Sequence, residues 1–234
     1  MTVMETLLAN SETSKQTLQD LASDLHNKLC RFYHLPVMTD IKQHLIIGNE
    51  CEQVGLNQKS FRAATLVDQT CKDTLHIGIH VDQNLADALN QSPPLRQLGM
   101  YNLDPFCVIA EEVSHFTMLC HHANHERSVT ALELEFQAEL DKVILSALVL
   151  FQQQGDSHWQ PLVRRIFDYG TITVPDRHYE IANRHAARFW HYVAGHLPTH
   201  ISADDITDFR NLMRKQYRAN WQEKQILFET QLVA

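Results

Sequence analysis

Glycine is scarce in this chain, which has seven in 234 residues, and no P-loop, G-x-G-x-x-G or G-x-S-x-G pattern occurs. Loops that cradle phosphate groups and the nucleophile turn of serine hydrolases are therefore not expected. The five cysteines are odd in number and include no C-x-x-C pair, which argues against a disulfide framework or a zinc finger. We therefore expect reduced thiols and a cytoplasmic protein.

The sequence also lacks long apolar runs and an excess of basic over acidic residues. No uninterrupted apolar stretch approaches the roughly 18 to 20 residues that span a bilayer, and residues 1–16 lack the basic start and apolar run of a signal peptide. The formal charge of −8 leaves no surplus of Lys and Arg to neutralise phosphates. We expect neither a membrane nor a nucleic acid as a partner. The composition leaves the oligomeric state open.

The length and the order of the predicted elements indicate a single α+β domain. An N-terminal helix occupies 1–36. A small, mostly antiparallel sheet and two buried helices follow within 40–152, and a C-terminal helical part covers 153–234.

Changes in the spacing of hydrophobic residues along the sequence predict where the individual strands and helices lie. Strands are expected at 43–48, 60–67 and 74–82, with the polar stretch DQTCKD (68–73) separating the last two. A short helix, LADALNQ, follows the third strand. Other helices are expected over 13–33, around 159–167, and over 176–195, 204–217 and 220–231, with an extended TITVP segment after the second of these.

The most informative segment is 106–122, FCVIAEEVSHFTMLCHH, because a helix of this sequence is apolar on almost every side. We expect it to begin near Pro105 with Asp104 as its N-cap. A helix that is hydrophobic all round is a buried helix. It nevertheless carries four charged or titratable side chains: Glu111, Glu112, His115 and His122. Charge buried without a partner is costly, so such groups are paired, neutralised or bound to a metal.

A second buried helix follows. The T-x-x-E pattern from Thr130 to Glu133 predicts a capping box at its start, and the apolar pattern runs to about Gln152. Between its two apolar sides lies a polar stripe, formed by Glu135, Glu139, Lys142 and Ser146. On the first helix, His115 lies one turn after Glu111, a spacing that suits joint ligation of a metal.

Two interpretations of these side chains stay open. In the first, the carboxylates and the imidazole bind zinc, iron or manganese, the metals that suit such ligands. In the second, they form a structural network in which Glu111 and His115 hydrogen-bond each other while Glu139 pairs with Lys142.

The segment EEVSH (111–115) resembles the H-E-x-x-H motif of the zincin metallopeptidases, with Glu111 where the family has its first histidine. In the gluzincin branch the third ligand is a glutamate on the next helix, where Glu135 stands. The strands that close with TLHIGIHVD also resemble the small zincin sheet that precedes the active helix. The resemblance therefore implies a zincin-like core.

The same resemblance implies a role for each residue of the site. Glu111, His115 and Glu135 would bind a divalent metal, zinc before iron or manganese, and Glu139 is the other candidate for the third ligand. Glu112 would be the general base that activates a metal-bound water. An oxyanion would be steadied by one of two histidines of the helix at 176–195, His178 or His185.

A second resemblance leads to a different class of protein. The pattern Glu112-x-x-His115 is similar to the E-x-x-H half-motif of the ferritin-like di-iron carboxylate proteins, in which Glu135 or Glu139 would be a partner glutamate. The second E-x-x-H is missing, since the helix at 176–195 offers Glu180 with Arg184 and His185.

The sequence thus predicts a metal-binding protein with a degenerate zincin-like site. If it is an enzyme, we expect metal-dependent hydrolysis of an amide or peptide bond in a small-molecule or peptide substrate. The alternatives are an iron or manganese oxidoreductase, and a non-catalytic scaffold or partner-binding protein with a buried charge network. His122, in line with Glu111 and His115, is a reserve ligand.

Overall fold

The computed structural model describes residues 3–48, 61–71, 74–154, 165–167, 177–196 and 203–225. Their helices and strands follow the order α1, β1, β2, β3, α2, α3, α4, α5 and α6. In that order the bounds are Val3–Tyr33, Leu45–Ile47, Ala63–Cys71, Thr74–Val81, Gln83–Gln91, Leu103–Ala123, Ala131–Gln154, Arg177–His196 and Ala203–Arg218. The described residues are mostly helical and include a small sheet, which confirms the predicted α+β class.

The sheet has the strand order β1-β3-β2 and is mixed. The central strand β3 is parallel to β1 and antiparallel to β2, so the expected mostly antiparallel sheet has one pairing of each kind. Strand β2 also continues through Asp68 to Cys71, which we expected to lie in a polar separator. Asp68 and Gln69 are exposed. Because β2 lies at the edge of the sheet, polar residues there can continue the strand while facing water.

Helix α3 begins two residues before the expected position, at Leu103, and Asn102 rather than Asp104 precedes it as the N-cap. The Asn102 side chain is used by the preceding turn, where its Oδ1 accepts from the Gly99 N–H over 2.9 Å. The Asp104 carboxylate instead pairs with Arg62 over 2.7 Å. Proline lacks only its N–H, which has no partner in a first turn, so Pro105 does not prevent the earlier start.

The all-round apolar character of α3 corresponds to its position in the middle of the molecule. It packs against α1 and α2 on some sides, against β2 and β3 on another, and against α4. Its fully buried aromatic and aliphatic side chains include Phe106, Val113 and Phe116. Helix α4 in turn packs against α5. The α3–α4–α5 layer therefore encloses the polar side chains that both buried helices carry.

Other predicted elements have the expected type and somewhat different ends. Helices α2 and α4 and those predicted at 13–33, 176–195 and 204–217 are present, and α1 starts earlier, at Val3. Residues 165–167 and 221–225 are helical. The rest of the helices predicted at 159–167 and 220–231, and the TITVP segment, lie outside the described residues. None of the described helices combines the length and the apolar character needed to cross a membrane.

The capping box at the start of α4 is confirmed. The Glu133 N–H donates to Thr130 Oγ1 over 3.2 Å, and the Thr130 N–H donates to Glu133 Oε2 over the same distance. Two N–H groups without helical partners are thereby satisfied.

Substitution of Thr130 by Val should lower the free energy of unfolding by about 1 kcal/mol, because the shape is kept while the capping hydroxyl is lost. Chemical denaturation followed by circular dichroism measures this change. Thr74→Val, at an exposed position, is the matched control and should stay within about 0.5 kcal/mol of the wild type. Equal effects of the two substitutions would contradict the role given to the cap.

Candidate functional site: a buried carboxylate cluster

Helices α3, α4 and α5 bring together a cluster of charged side chains whose centre is Lys142 of α4. Its ammonium donates to Glu139 Oε1 over 2.6 Å and to Glu111 Oε2 of α3 over 2.9 Å. It also donates to the Tyr179 hydroxyl of α5 over 3.1 Å. Asn183, one turn after Tyr179, donates to the second oxygen of Glu139 over 3.2 Å. Each of the three helices thus supplies a partner to the same group of charges.

The Lys142–carboxylate group is deeply buried. The Lys142 side chain is 5% exposed and the Glu139 side chain is not exposed at all, whereas Glu111 is 23% exposed. Burial lowers the pKa of Lys142, but the charges of Glu111 and Glu139 outweigh this and raise the pKa well above its usual value. Burial also disfavours the charged form of Glu111 and so raises its pKa, but the charges of Lys142 and His115 bring that pKa below its usual value. Lys142 is therefore held as an ammonium between two carboxylates.

A second group adjoins the first and centres on His115. Its Nδ1 lies 3.6 Å from Glu112 Oε2, one turn earlier on α3, and its Nε2 lies 3.7 Å from Glu135 Oε2 on α4. Glu112 is held from its other side by strand β2, where the Thr65 hydroxyl donates to Glu112 Oε2 over 2.6 Å. A chain of polar groups therefore runs from the sheet through Glu112 and His115 to Glu135.

The polar atoms at the Glu135 end of this series lack hydrogen-bond partners in the described part of the protein. His115 Nε2 and Glu135 Oε2 are both buried and have no hydrogen-bond partner among the described residues. Their separation of 3.7 Å is too long for a direct hydrogen bond. Buried polar atoms in folded proteins are almost always satisfied, by protein, water or an ion. The imidazole nitrogen and the carboxylate oxygen thus face each other in a loose ion pair, without a hydrogen bond to either atom among the described residues.

The pKa values of His115 and Glu135 are both strongly shifted. Burial lowers the pKa of His115, but its close contact with Glu112 and the charges of Glu112, Glu135 and Glu111 raise it to about 9. Burial raises the pKa of Glu135 to about 7, with His115 opposing this and Glu111 and Glu112 adding to it. Strongly shifted groups that lie close together are typical of functional sites, although structural ion pairs shift pKa values as well.

The four residues predicted as metal ligands lie close together, but they form two separate groups. Glu111 and Glu139 bind Lys142, whereas His115 faces Glu135. The predicted Glu139–Lys142 pair is present, while His115 contacts Glu112 and Glu135 rather than forming the expected hydrogen bond with Glu111. Within the described part of the chain, no three or more His, Cys, Asp or Glu side chains are arranged as a ready metal site.

The histidines expected to assist have other surroundings. The His185 ring lies edge-on to Trp221 at 6.0 Å. Tyr179 and Asn183 are described α5 residues that form hydrogen bonds with the cluster. His178 belongs to α5, but its side chain lies outside the described residues. His122, the reserve ligand, is about 10 Å further along the α3 axis than His115, where its ring stacks on Tyr217.

The sequence interpretation missed several polar residues of the site and its surroundings. Tyr179 and Asn183 share one face of α5 at a spacing of one turn, and this spacing is the signal in the sequence that could have indicated them. Nothing in the sequence connects Thr65 to Glu112, because the contact depends on how the sheet packs on α3.

A second buried network, around Asp141 on another side of α4, was also missed. Tyr33 and Gln137 donate to Asp141 Oδ1 over 2.6 and 2.9 Å, and Ser114 donates to Oδ2 over 2.6 Å. Burial raises the pKa of Asp141 to about 6 even though these three hydrogen bonds lower it. All of its partners are neutral side chains, so this network links α1, α3 and α4 without an ion pair.

Comparisons with protein-family models, with curated proteins and with solved structures gave no match for this chain. The zincin and ferritin-like resemblances therefore stay predictions. Function is inferred below from the side chains of the cluster and their geometry.

Substitution of Lys142 by Met should lower the free energy of unfolding by about 3 to 5 kcal/mol, because it leaves two buried carboxylates without their shared cation. Urea denaturation at neutral pH measures this loss. The control is Lys42→Met, since Lys42 pairs with exposed Asp20 and such surface pairs contribute about 0 to 1 kcal/mol. A Lys142 variant no less stable than the Lys42 variant would show that the ammonium does not hold the cluster together.

The Asp141 network should make stability depend on pH. A carboxyl whose pKa is higher in the folded chain binds its proton more tightly there, so the free energy of unfolding falls as pH rises between the two values. For Asp141 that interval runs from 3.8 to about 6. Asp141→Asn should remove about 2 kcal/mol of the decrease, with Ser114 accepting a hydrogen bond from the new amide. Denaturation curves from pH 4 to 7 test this against exposed Asp208→Asn, and identical slopes would refute it.

Proposed function

We propose that this protein binds one divalent metal ion, zinc in the first place, between His115 Nε2 and Glu135 Oε2, and that it is a metal-dependent hydrolase. The observation that carries the proposal is that these two buried atoms face each other at 3.7 Å while neither has a hydrogen-bond partner among the described residues. Zinc binds imidazole nitrogen and carboxylate oxygen at about 2.0 to 2.2 Å. Two such ligand atoms can share one ion at the observed separation, with water completing the coordination.

The charge of the whole cluster supports the binding of a cation. Four carboxylates, those of Glu111, Glu112, Glu135 and Glu139, adjoin Lys142 and His115. Even with His115 protonated, the acidic groups outnumber the basic ones by two. Unpaired negative charge in a buried site has a high free-energy cost, and protonation or a bound cation lowers that cost. Burial is the main cause of the raised pKa of Glu135, about 7, and the charges of Glu111 and Glu112 add to it.

The other residues of the cluster have positioning roles in this proposal. Glu112, fixed by Thr65, faces His115 Nδ1 and so directs Nε2 toward Glu135, an arrangement that orients metal-binding histidines in many proteins. Glu112 is therefore a partner of the ligand rather than the general base that the zincin resemblance implied. Lys142 keeps Glu111 and Glu139 engaged, so these two carboxylates are not available as ligands while the ammonium stays in place.

The hydrolytic part of the proposal follows from the chemistry of the ligands. A zinc ion bound there would lower the pKa of a coordinated water and polarise an amide carbonyl. The Glu135 side chain is 25% exposed although its Oε2 is buried, so a substrate would approach the ion past the exposed part of this side chain. A peptide or small amide is the proposed substrate, and the cytoplasm remains the proposed location.

A non-catalytic role is the second candidate, and one observation favours it. Lys142 already neutralises two of the four carboxylates through contacts of 2.6 and 2.9 Å, as a purely structural network would require. The ferritin-like alternative has less support, because α5 contributes Tyr179 and Asn183 to the cluster instead of a second Glu and His pair.

Metal analysis of purified protein tests the proposal directly. After dialysis against zinc and removal of free ions, wild-type protein should retain about one zinc per chain. His115→Ala and Glu135→Gln should each weaken zinc binding by at least tenfold, and Glu112→Gln by about 10 to 100-fold. Zinc binding should strengthen from pH 6 to 9, since the ion must displace the proton of His115. Mass spectrometry and competition with a chelating dye measure these values.

Two variants on exposed parts of α5 are the controls. Glu180→Gln and His191→Ala change the same residue types at exposed positions and should bind zinc as the wild type does. Retention of zinc by both His115→Ala and Glu135→Gln would refute the assigned site. Zinc binding without release of amine from any member of a peptide and amide panel would reject the hydrolase and leave a metal-binding protein.

A further inference from the structure

Two histidines lie side by side at the carboxyl end of α3, outside the buried cluster. They are His121 and His125, and their ring centroids are 4.5 Å apart, with the ring planes inclined by 52°. His125 is exposed and His121 is half-buried. His122 is not part of this surface, since it is buried and its ring stacks on Tyr217. Two imidazoles are thus in contact where solvent and dissolved ions reach them.

The way in which α3 ends brings the two rings together. The His125 N–H donates to the backbone oxygen of His122 over 3.0 Å, so His125 continues the helical turn and follows His121 by four residues. Glu126 then adopts a positive φ of 51°, and the Arg127 N–H returns to the same oxygen over 3.0 Å. Helices are commonly closed in this way. Side chains four residues apart share one face and lean toward the start of the helix. The His125 ring therefore lies over the turn that contains His121.

A hydrogen bond fixes which nitrogen of His125 is free. Its Nδ1 lies 2.7 Å from the backbone oxygen of His121. Because a carbonyl oxygen can only accept, Nδ1 carries the proton of the neutral ring and Nε2 keeps its lone pair. Metal-binding histidines are oriented in the same way, by donating their other ring N–H to a carbonyl or a carboxylate. Among the described residues, neither His125 Nε2 nor either ring nitrogen of His121 has a hydrogen-bond partner.

The distance between the rings agrees with coordination of one ion by both. A ring nitrogen binds a metal at about 2.0 to 2.1 Å, which places the centre of the imidazole about 3.2 Å from the ion. Two rings at about 90° around one ion are then about 4.5 Å apart, and at a tetrahedral angle about 5.2 Å. The observed 4.5 Å corresponds to the right angle, which is typical of Cu(II) and Ni(II) sites.

We propose that His121 and His125 bind one Cu(II) or Ni(II) ion through a nitrogen of each ring, with water completing the coordination. His125 contributes Nε2, which is the nitrogen left free by the backbone hydrogen bond. No hydrogen bond to a described residue holds the His121 ring, so rotation about its Cβ–Cγ bond can aim Nδ1 or Nε2 at the same ion.

His121 is a neutral ligand at neutral pH. Burial lowers its pKa, and the charges of His125, Arg218 and Arg127 add to this. Both arginines have other partners, since Arg127 pairs with Glu133 over 2.8 Å and Arg218 donates to a backbone oxygen of α1 over 3.0 Å. Water around the exposed His125 screens the positive charge that remains.

This pair is separate from the zinc site proposed between His115 and Glu135. His121 is about 9 Å further along the α3 axis than His115, and neither His121 nor His125 contacts the cluster through a hydrogen bond. The two sites also differ in their ligands, because two imidazoles replace an imidazole and a carboxylate.

Titration of the full chain with Cu(II), followed by amide NMR signals and electron paramagnetic resonance, tests the proposal. Paramagnetic copper broadens the signals of nearby amides, so those of residues 121–127 should disappear before two equivalents are added. The copper spectrum should show coupling to imidazole nitrogen. His125→Ala should weaken copper binding at this place by at least about tenfold, because one of two linked ligands is lost. His125 is exposed, so the variant should fold as the wild type does.

Two further variants complete the test. His191→Ala removes an exposed histidine of α5 and should bind copper at 121–127 as the wild type does. His115→Ala should also keep this copper site, and zinc binding at His115 should be unchanged in His125→Ala. Sharp signals for 121–127 in copper-loaded wild type, or equal copper affinity of wild type and His125→Ala, would overturn the proposal. Loss of the broadening in His115→Ala would do the same, because it would assign the copper to the buried cluster.

Discussion

The interaction on which the rest of the structure depends is the ammonium of Lys142 between Glu111 and Glu139. Each of these three side chains would be costly to bury alone, and together with Tyr179 they satisfy one another at distances of 2.6 to 3.1 Å. Since they belong to α3, α4 and α5, the ion group fixes how the three helices pack. Replacement of such a group by well-packed apolar residues is often neutral or stabilising, so its presence is better explained by what it positions than by a gain in stability.

What it positions is the neighbouring group of Glu112, His115 and Glu135. Because Glu111 and Glu139 are bound to Lys142, one half of the cluster has its hydrogen bonds satisfied. The other half, Glu112, His115 and Glu135, does not. Only the second half has facing buried atoms without partners, His115 Nε2 and Glu135 Oε2. It is also the half that is oriented by the sheet, through Thr65 and Glu112.

The sequence predicts features that are set by neighbours along the chain. The all-round apolar pattern of α3, the capping box at Thr130 and the Glu139–Lys142 pair depend on spacings of three or four residues, and the structure has all three. Features set by packing were wrong or missed. His115 lies within one turn of both Glu111 and Glu112, and the preference for Glu112 depends on Thr65 and Lys142 holding the two carboxylates apart. The early start of α3 depends on Asn102 being used by the preceding turn, and the extension of β2 depends on its edge position.

The central claim is that Lys142 holds one half of the cluster and leaves the other half free for a cation. Anomalous diffraction at the zinc absorption edge, from crystals of the wild-type protein soaked in zinc, tests it most directly. The account predicts a peak between His115 Nε2 and Glu135 Oε2, with Lys142 still between Glu111 and Glu139. A peak at the Lys142 position with the ammonium displaced, or no peak anywhere in the cluster, would contradict it.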